Sequence, residues 1–260
     1  MSGAGALALK LVLTPVLVGA ASIAGRRWGS AVGGWLIGIP FTSGPIAFFL
    51  ALDPGPGFAA DAALGIMAGA VSQAAFCLAY SWTARRAGWA LSLLAGSAAF
   101  GGATIVLDPL HVPIAGSFVL VIVFLAVALF LIPGRPDEVG AAQGSLPWWD
   151  IPARMVVATA FVLALTSAAP ALGPRLAGLL APFPLYASVL AAFEHRVQGA
   201  APATGVLRGL LLGLFAFASF FLVVAVLLPT GVLTAFGVAI VVALAIQASS
   251  LAAGRRLGLA

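Results

Sequence analysis

Residues 114–133 read IAGSFVLVIVFLAVALFLIP, a run of twenty residues without a single charge. A helix needs about 20 mainly apolar residues to cross the hydrocarbon core of a bilayer, so this run predicts a transmembrane helix. The strands of an outer-membrane barrel would alternate apolar and polar residues, and this run does not alternate. The sequence therefore predicts helical spans.

The whole chain has the composition of a membrane protein. Of its 260 residues, 63% are hydrophobic and 7% are charged, whereas a soluble domain has about 45–50% apolar and about 25% charged residues. Intrinsic disorder needs the opposite composition. The net charge of +5 does not predict nucleic-acid binding, because the twelve Lys and Arg residues are scattered in ones and twos and form no basic cluster.

Eight further apolar runs resemble the first, and we number the nine segments in chain order. They span residues 6–25, 30–52, 59–83, 88–107, 114–133, 153–172, 174–193, 203–228 and 231–253. We therefore expect an all-α polytopic membrane protein with about nine transmembrane helices. For segment 1, a cleaved signal peptide is the alternative, because Lys10 precedes an apolar stretch that contains several small residues.

The distribution of basic residues predicts the orientation in the membrane. Ten of the twelve lie in or beside the loops that follow odd-numbered segments, and only Lys10 and Arg175 lie on the other side. Basic residues in short loops stay on the cytoplasmic side of a membrane. We expect an external N-terminus, a cytoplasmic C-terminus and a location in a bacterial-type inner (plasma) membrane.

An offset of 144 residues brings the chain into register with itself. Between residues 8 and 80 this register gives roughly twice the identities expected by chance for such a composition. The identical pairs include Gly29/Gly173, Gly34/Gly178, Pro40/Pro184, Gly55/Gly199, Gly65/Gly209, Gly69/Gly213 and Phe76/Phe220.

This register predicts two inverted four-helix repeats joined by a linker helix. Residues 1–110 form the first repeat, residues 111–152 the linker helix and a cytoplasmic loop, and residues 153–260 the second repeat. An odd number of linker helices inverts the second unit, and inverted repeats recur in secondary transporters. A duplication kept for stability alone is the alternative.

The centres of segments 2 and 7 contain prolines at corresponding positions. Segment 2 reads GIPFTSGP over residues 38–45, and segment 7 reads PFPLYAS over residues 182–188. Proline interrupts a helix, and interrupted helices at matching positions of two repeats indicate a substrate site. A kinked helix whose hydroxyls bond to their own backbone is the alternative. The candidate binding residues are Pro40, Thr42, Ser43, Gly44, Pro182, Pro184, Tyr186 and Ser188, together with Gln73 of segment 3, which could instead bridge two helices.

Four ionisable residues lie just inside predicted spans, namely Lys10, Asp61, Arg154 and Arg208. Charges at such positions are candidate functional residues. We consider Lys10–Asp61 as an outer gating ion pair and Glu194–Arg208 as an inner one. Long side chains that reach the interface and an aspartate that caps a helix dipole are the alternatives.

Together these patterns predict a small secondary transporter or exporter of a small solute, anionic or zwitterionic, that binds between segments 2 and 7. The alternative is a non-transporting membrane subunit or scaffold, and a homo-oligomer or a partner membrane protein suits either. We expect no cofactor, metal or enzymatic activity, because the chain has one cysteine, two histidines assigned to loops and no phosphate-binding loop.

Overall fold

The computed structural model describes residues 7–9, 11–16, 19, 23, 40, 42–110, 112–133 and 150–256. Over these residues the secondary structure is helical, without strands. Six of the described helices are long and apolar enough to cross a membrane. The described part of the chain is thus all-helical, and its apolar helices indicate a multi-pass membrane protein.

An N-terminal helix, Leu7–Val16, precedes eight helices that we number α1 to α8. A 3₁₀ turn, Leu228–Thr230, separates the last two. The eight helices are α1 Ser43–Leu52, α2 Pro56–Ala84, α3 Trp89–Leu107, α4 Ile114–Leu131, α5 Asp150–Leu180, α6 Leu185–Gln198, α7 Ala200–Leu227 and α8 Val232–Arg256.

Helices α2, α3, α4, α7 and α8 confirm segments 3, 4, 5, 8 and 9 to within a few residues at each end. Each of these five helices starts directly after a glycine or a proline. Gly55 has φ 133°, a value that suits a residue without a Cβ, and Pro56 then begins α2 because the first helical turn needs no N–H from that position.

Segments 6 and 7 divide at Gly173, between their predicted bounds, and segment 7 is itself interrupted. Helix α5 contains one non-helical residue, Gly173, with φ 77° and ψ 163°, which divides it into residues 150–172 and 174–180. The first part corresponds to segment 6. Segment 7 consists of two helical pieces, residues 174–180 and α6, separated by residues 181–184, which we call the break.

Segment 2 is described only in part. Its C-terminal half forms α1, a helix of ten residues that starts at Ser43. Apart from Pro40, residues 30–41 lie outside the described residues, as do residues 17–18, 20–22 and 24–25 near the end of segment 1. The count of nine spans and the inverted repeat therefore remain predictions.

The helices form a buried centre and an exposed outer layer. Most residues of α2 and α7, which pack against each other, are buried, whereas fewer than a third are buried along α3, α4, α5 and α8. The outer helices expose large apolar side chains, including Ile105, Phe130 and Leu233. An apolar surface of this extent suits contact with lipid chains.

Three glycines, Gly65 and Gly69 of α2 and Gly178 of segment 7, allow the two segments to pack backbone against backbone. A Cβ on Gly65 would lie 2.6 Å from the carbonyl oxygen of Arg175, and a Cβ on Gly178 would overlap the carbonyl oxygen of Ala62. Small residues permit this separation between helices in membranes. This contact holds the first piece of segment 7 against α2 and so fixes the position of the break.

Candidate functional site

The break lies in the protein interior and is shaped by two prolines. Ala181, Pro182 and Pro184 are buried. The N–H of Phe183 donates to the carbonyl of Leu180 at 3.1 Å, and the N–H of Ser188 donates to the carbonyl of Pro184 at 2.8 Å. Because neither proline has an N–H, the helical hydrogen-bond pattern stops at Ala181 and resumes in α6.

Helix α1 reaches the break through Ser43. Its hydroxyl donates to the carbonyl of Ala181 at 3.0 Å, and both groups are buried. The next residue, Gly44, donates its N–H to the carbonyl of Pro40, one turn earlier in the chain, at 2.8 Å. The structure therefore brings the proline-containing parts of segments 2 and 7 together.

One face of α2 is directed at the break. A Cβ on Gly69 would lie 2.5 Å from the ring of Pro182, and the rings of Phe76 and Phe183 pack edge to face with centroids 6.3 Å apart. Gln73 lies between these two contacts, on the same face by helical periodicity. Its side chain is buried, and its Oε1 accepts no hydrogen bond from the described residues.

The remaining candidate hydroxyls have different surroundings. The Ser188 hydroxyl donates to the carbonyl of Leu185 at 2.9 Å in its own helix, which is the local bonding considered as an alternative. Tyr186 is half-buried in the first turn of α6, and Thr42 is buried just before α1. Of the serine hydroxyls at the site, Ser43 is the one that joins two segments.

The described residues of the two predicted gating ion pairs are Asp61, Glu194 and Arg208. Asp61 is exposed near the start of α2, and Lys10 lies outside the described residues. The Arg208 guanidinium donates to the carbonyl of Ile132 at 3.0 Å, and the Glu194 carboxylate accepts a hydrogen bond from the Gln198 amide. Both gating ion pairs therefore stay predictions. The side chain of Arg154 also lies outside the described part.

Sequence reasoning missed the role of Arg175. Its guanidinium donates to the carbonyl of Leu107 at 2.8 Å and also to the carbonyls of Asp108 and Leu110. These carbonyls lie at the C-terminus of α3 and in the turn that follows it. The helix dipole favours a cation at this position. Arg175 thus ties the start of segment 7 to the turn after α3, and no spacing in the sequence links the two regions.

His195 is another correction, because it lies in a helix and not in a loop. Helix α6 continues to Gln198, and Nδ1 of His195 lies 3.3 Å from the Tyr80 hydroxyl. A neutral imidazole with an unprotonated Nδ1 can accept a hydrogen bond from the tyrosine hydroxyl.

Segment 7 follows α2 over most of its length. Four pairs of contacting residues occur in the same order along α2 and along segment 7. Arg175 lies at the end of α3 near Leu107, and His195 lies near the connection from α2 to α3. These two residues therefore lie at opposite ends of α3. The pairs are Gly65 with Gly178, Gly69 with Pro182, Phe76 with Phe183, and Tyr80 with His195.

No known protein family, curated protein or solved structure matches this chain. Among the described residues, no three His, Cys, Asp or Glu side chains come together as metal ligands would. A surface cavity of about 530 Å³ lies away from the break, against the start of α5. Its lining residues are Pro15, Pro152, Met155, Val156, Thr159, Ala160 and Leu163.

Proposed function

We propose that this protein is a small secondary transporter or exporter whose solute site lies at the break, between segments 2 and 7. The observation that carries this proposal is the hydrogen bond from Ser43 to Ala181, which joins the two proline-containing segments. Backbone that leaves helical geometry inside a membrane is tolerated where it is buried in protein or lines a cavity. Discontinuous helices of transporters form their binding sites in this way.

We further propose that segment 7 crosses the bilayer as two half-helices. The ordered contacts along α2 support a crossing, since a re-entrant loop would return to the side from which it entered. With segments 1 and 2 as spans, this gives nine transmembrane helices. The external N-terminus and cytoplasmic C-terminus then follow from the basic residues.

The inverted repeat is part of the same proposal. The N–H of Gly44 donates to Pro40, and the N–H of Ser188 donates to Pro184, both at 2.8 Å and offset by 144 residues. At the same offset, Gly55 and Gly199 have positive φ and precede helices of 29 and 28 residues. Two similar units in opposite orientations can exchange roles between inward-open and outward-open states.

Cysteine accessibility tests the pathway directly. In a Cys77→Ala background, single cysteines replace Thr42, Ser43, Tyr186 and Ser188, and a membrane-impermeant thiol reagent is applied from each side. We expect labelling from both sides, because alternating access opens the site to each compartment in turn. Ala218→Cys is the matched control, since Ala218 is fully buried in α7 and should stay unlabelled.

The opposite result has a clear meaning. If all four positions stay unreactive from both sides while the protein remains folded, the prolines form only a packed kink. The transporter proposal would then be wrong. The absence of catalytic activity remains part of our proposal, which assigns the site to binding alone.

The cavity at the start of α5 favours a second candidate, a non-transporting membrane subunit. Apolar side chains dominate its lining, and the hydroxyl of Thr159 donates to the carbonyl of Met155 at 2.7 Å. A helix of a partner or of a second copy could fill this groove. Native mass spectrometry of the wild type and of Ala160→Trp would test this, because the larger side chain should release any bound chain.

A further inference from the structure

The break is surrounded by segments without formal charge. No Asp, Glu, Lys or Arg occurs in residues 28–52, 62–84 or 176–193. Transfer of a net ion from water into a protein interior is costly unless an opposite charge meets it. A solute that binds here is therefore best accommodated if its own charges sum to zero.

The first turn of α6 offers a site for the negative end of such a solute. The N–H groups of Leu185 and Ser188 donate to the carbonyls of Phe183 and Pro184, and no described acceptor takes the N–H of Ala187 between them. Helix N-termini carry partial positive charge and bind carboxylates through such groups. This feature alone would suit any small anion.

Gln73 distinguishes between the classes of solute. Its side chain is 6% exposed, and Oε1 has no hydrogen-bond donor among the described residues. The residue lies on the α2 face that contacts Pro182 and Phe183. A buried acceptor without a donor is unfavourable, and it repels a carboxylate but attracts an ammonium group.

We infer that the solute is a small zwitterion, with its carboxylate at the first turn of α6 and its ammonium group at Oε1 of Gln73. This inference rests on the proposed transport function. A simple anion would leave Gln73 without a donor, and a simple amine would leave the N–H of Ala187 without an acceptor. We take the solute to be small because the rings of Phe76 and Phe183 pack against each other beside Pro182.

Protection from cysteine labelling tests the class of solute. The labelled positions of the four-cysteine series are treated with glycine, L-alanine or L-proline and with the matched ions acetate, propionate and ethylamine. For each solute we compare the concentration that halves the labelling rate. We expect this concentration to be at least tenfold lower for at least one zwitterion than for every matched ion.

Two outcomes overturn the inference and leave the pathway intact. Equal protection by propionate and L-alanine would show that the site binds anions. Labelling from both sides without protection by any zwitterion would show that the solute belongs to a different chemical class. Unreactive cysteines would instead overturn the transport proposal itself, together with this inference.

Variants of Gln73 identify the contact. Gln73→Leu removes the acceptor, so the protecting concentration of the effective zwitterion should rise at least tenfold. Gln247→Leu removes a second buried amide, in α8, and should leave that concentration unchanged. If Gln73→Leu does not fold, Gln73→Met is similar in length, also lacks the oxygen acceptor and should raise that concentration in the same way. Unchanged protection in whichever of these two variants folds would overturn the assignment.

Discussion

At Gly178, one missing side chain allows two backbones to touch. Its Cα faces Gly65 of α2, and a Cβ would overlap the carbonyl oxygen of Ala62. The sequence pairs Gly178 with Gly34 at the 144-residue offset, but it does not identify α2 as the neighbour. Only the packed structure explains why a helix former would be unfavourable here.

Gly178→Ala should therefore destabilise the protein by roughly 1–3 kcal/mol, because overpacking forces the backbones apart. The measurement is the free energy of unfolding in detergent, by thermal or denaturant titration. Gly101→Ala in α3 is the matched control, since nothing lies within 4 Å of a Cβ placed on Gly101. The control should be neutral or slightly stabilising, by up to about 1 kcal/mol. Equal effects of the two substitutions would contradict the close packing.

Ser43 provides a second test at this scale. Ser43→Ala removes the donor to Ala181 and leaves a buried carbonyl with one partner fewer. The expected loss is about 1 kcal/mol of unfolding free energy. Ser249→Ala should have a smaller effect, since that hydroxyl is exposed and donates within its own helix. A larger loss for Ser249→Ala would argue against a role for Ser43 in joining α1 to the break.

At the scale of the helices, segment 7 departs most from a regular span. Its apolar content predicts one helix, and Pro182 and Pro184 predict an interruption. The position of the first piece depends on the packing against α2, where Gly65 and Gly178 touch. Arg175 then fixes the first piece by its three hydrogen bonds at the end of α3.

Arg175→Gln should destabilise the protein by about 1.5–3 kcal/mol, the range for hydrogen bonds to a charged group. Arg175→Lys should recover only part of this, because one ammonium group cannot reproduce the planar guanidinium. Arg86→Gln is the control, since Arg86 is exposed. Limited proteolysis should show faster cleavage in the turn after α3 for Arg175→Gln only. Unchanged cleavage would contradict the anchoring role.

For the whole molecule, the central question is the path of segment 7 through the membrane. Its first residues lie near Leu107 and its last near Tyr80, so the two ends should face opposite compartments. The apolar outer layer of α3, α4 and α8 agrees with a bilayer around this core.

Labelling of residues at or near the ends of helices tests this topology. Gly88→Cys and Val197→Cys should react from the cytoplasmic side, and Leu110→Cys from the outside, in the Cys77→Ala background. All three parent residues are exposed. Reaction of Val197→Cys and Leu110→Cys from the same side would make segment 7 re-entrant and contradict nine spans.

The amino-acid sequence alone determined the helical membrane class and six of the long helices, because apolar length is a local property that a bilayer selects directly. It also located the prolines that shape the break and named Gln73 as a candidate polar residue in segment 3. Only the tertiary structure decided that Ser43 meets Ala181, that Arg175 binds the end of α3 and that Tyr80 meets His195. These contacts join residues distant in the chain, and in a uniformly apolar sequence no spacing or periodicity encodes which helices become neighbours.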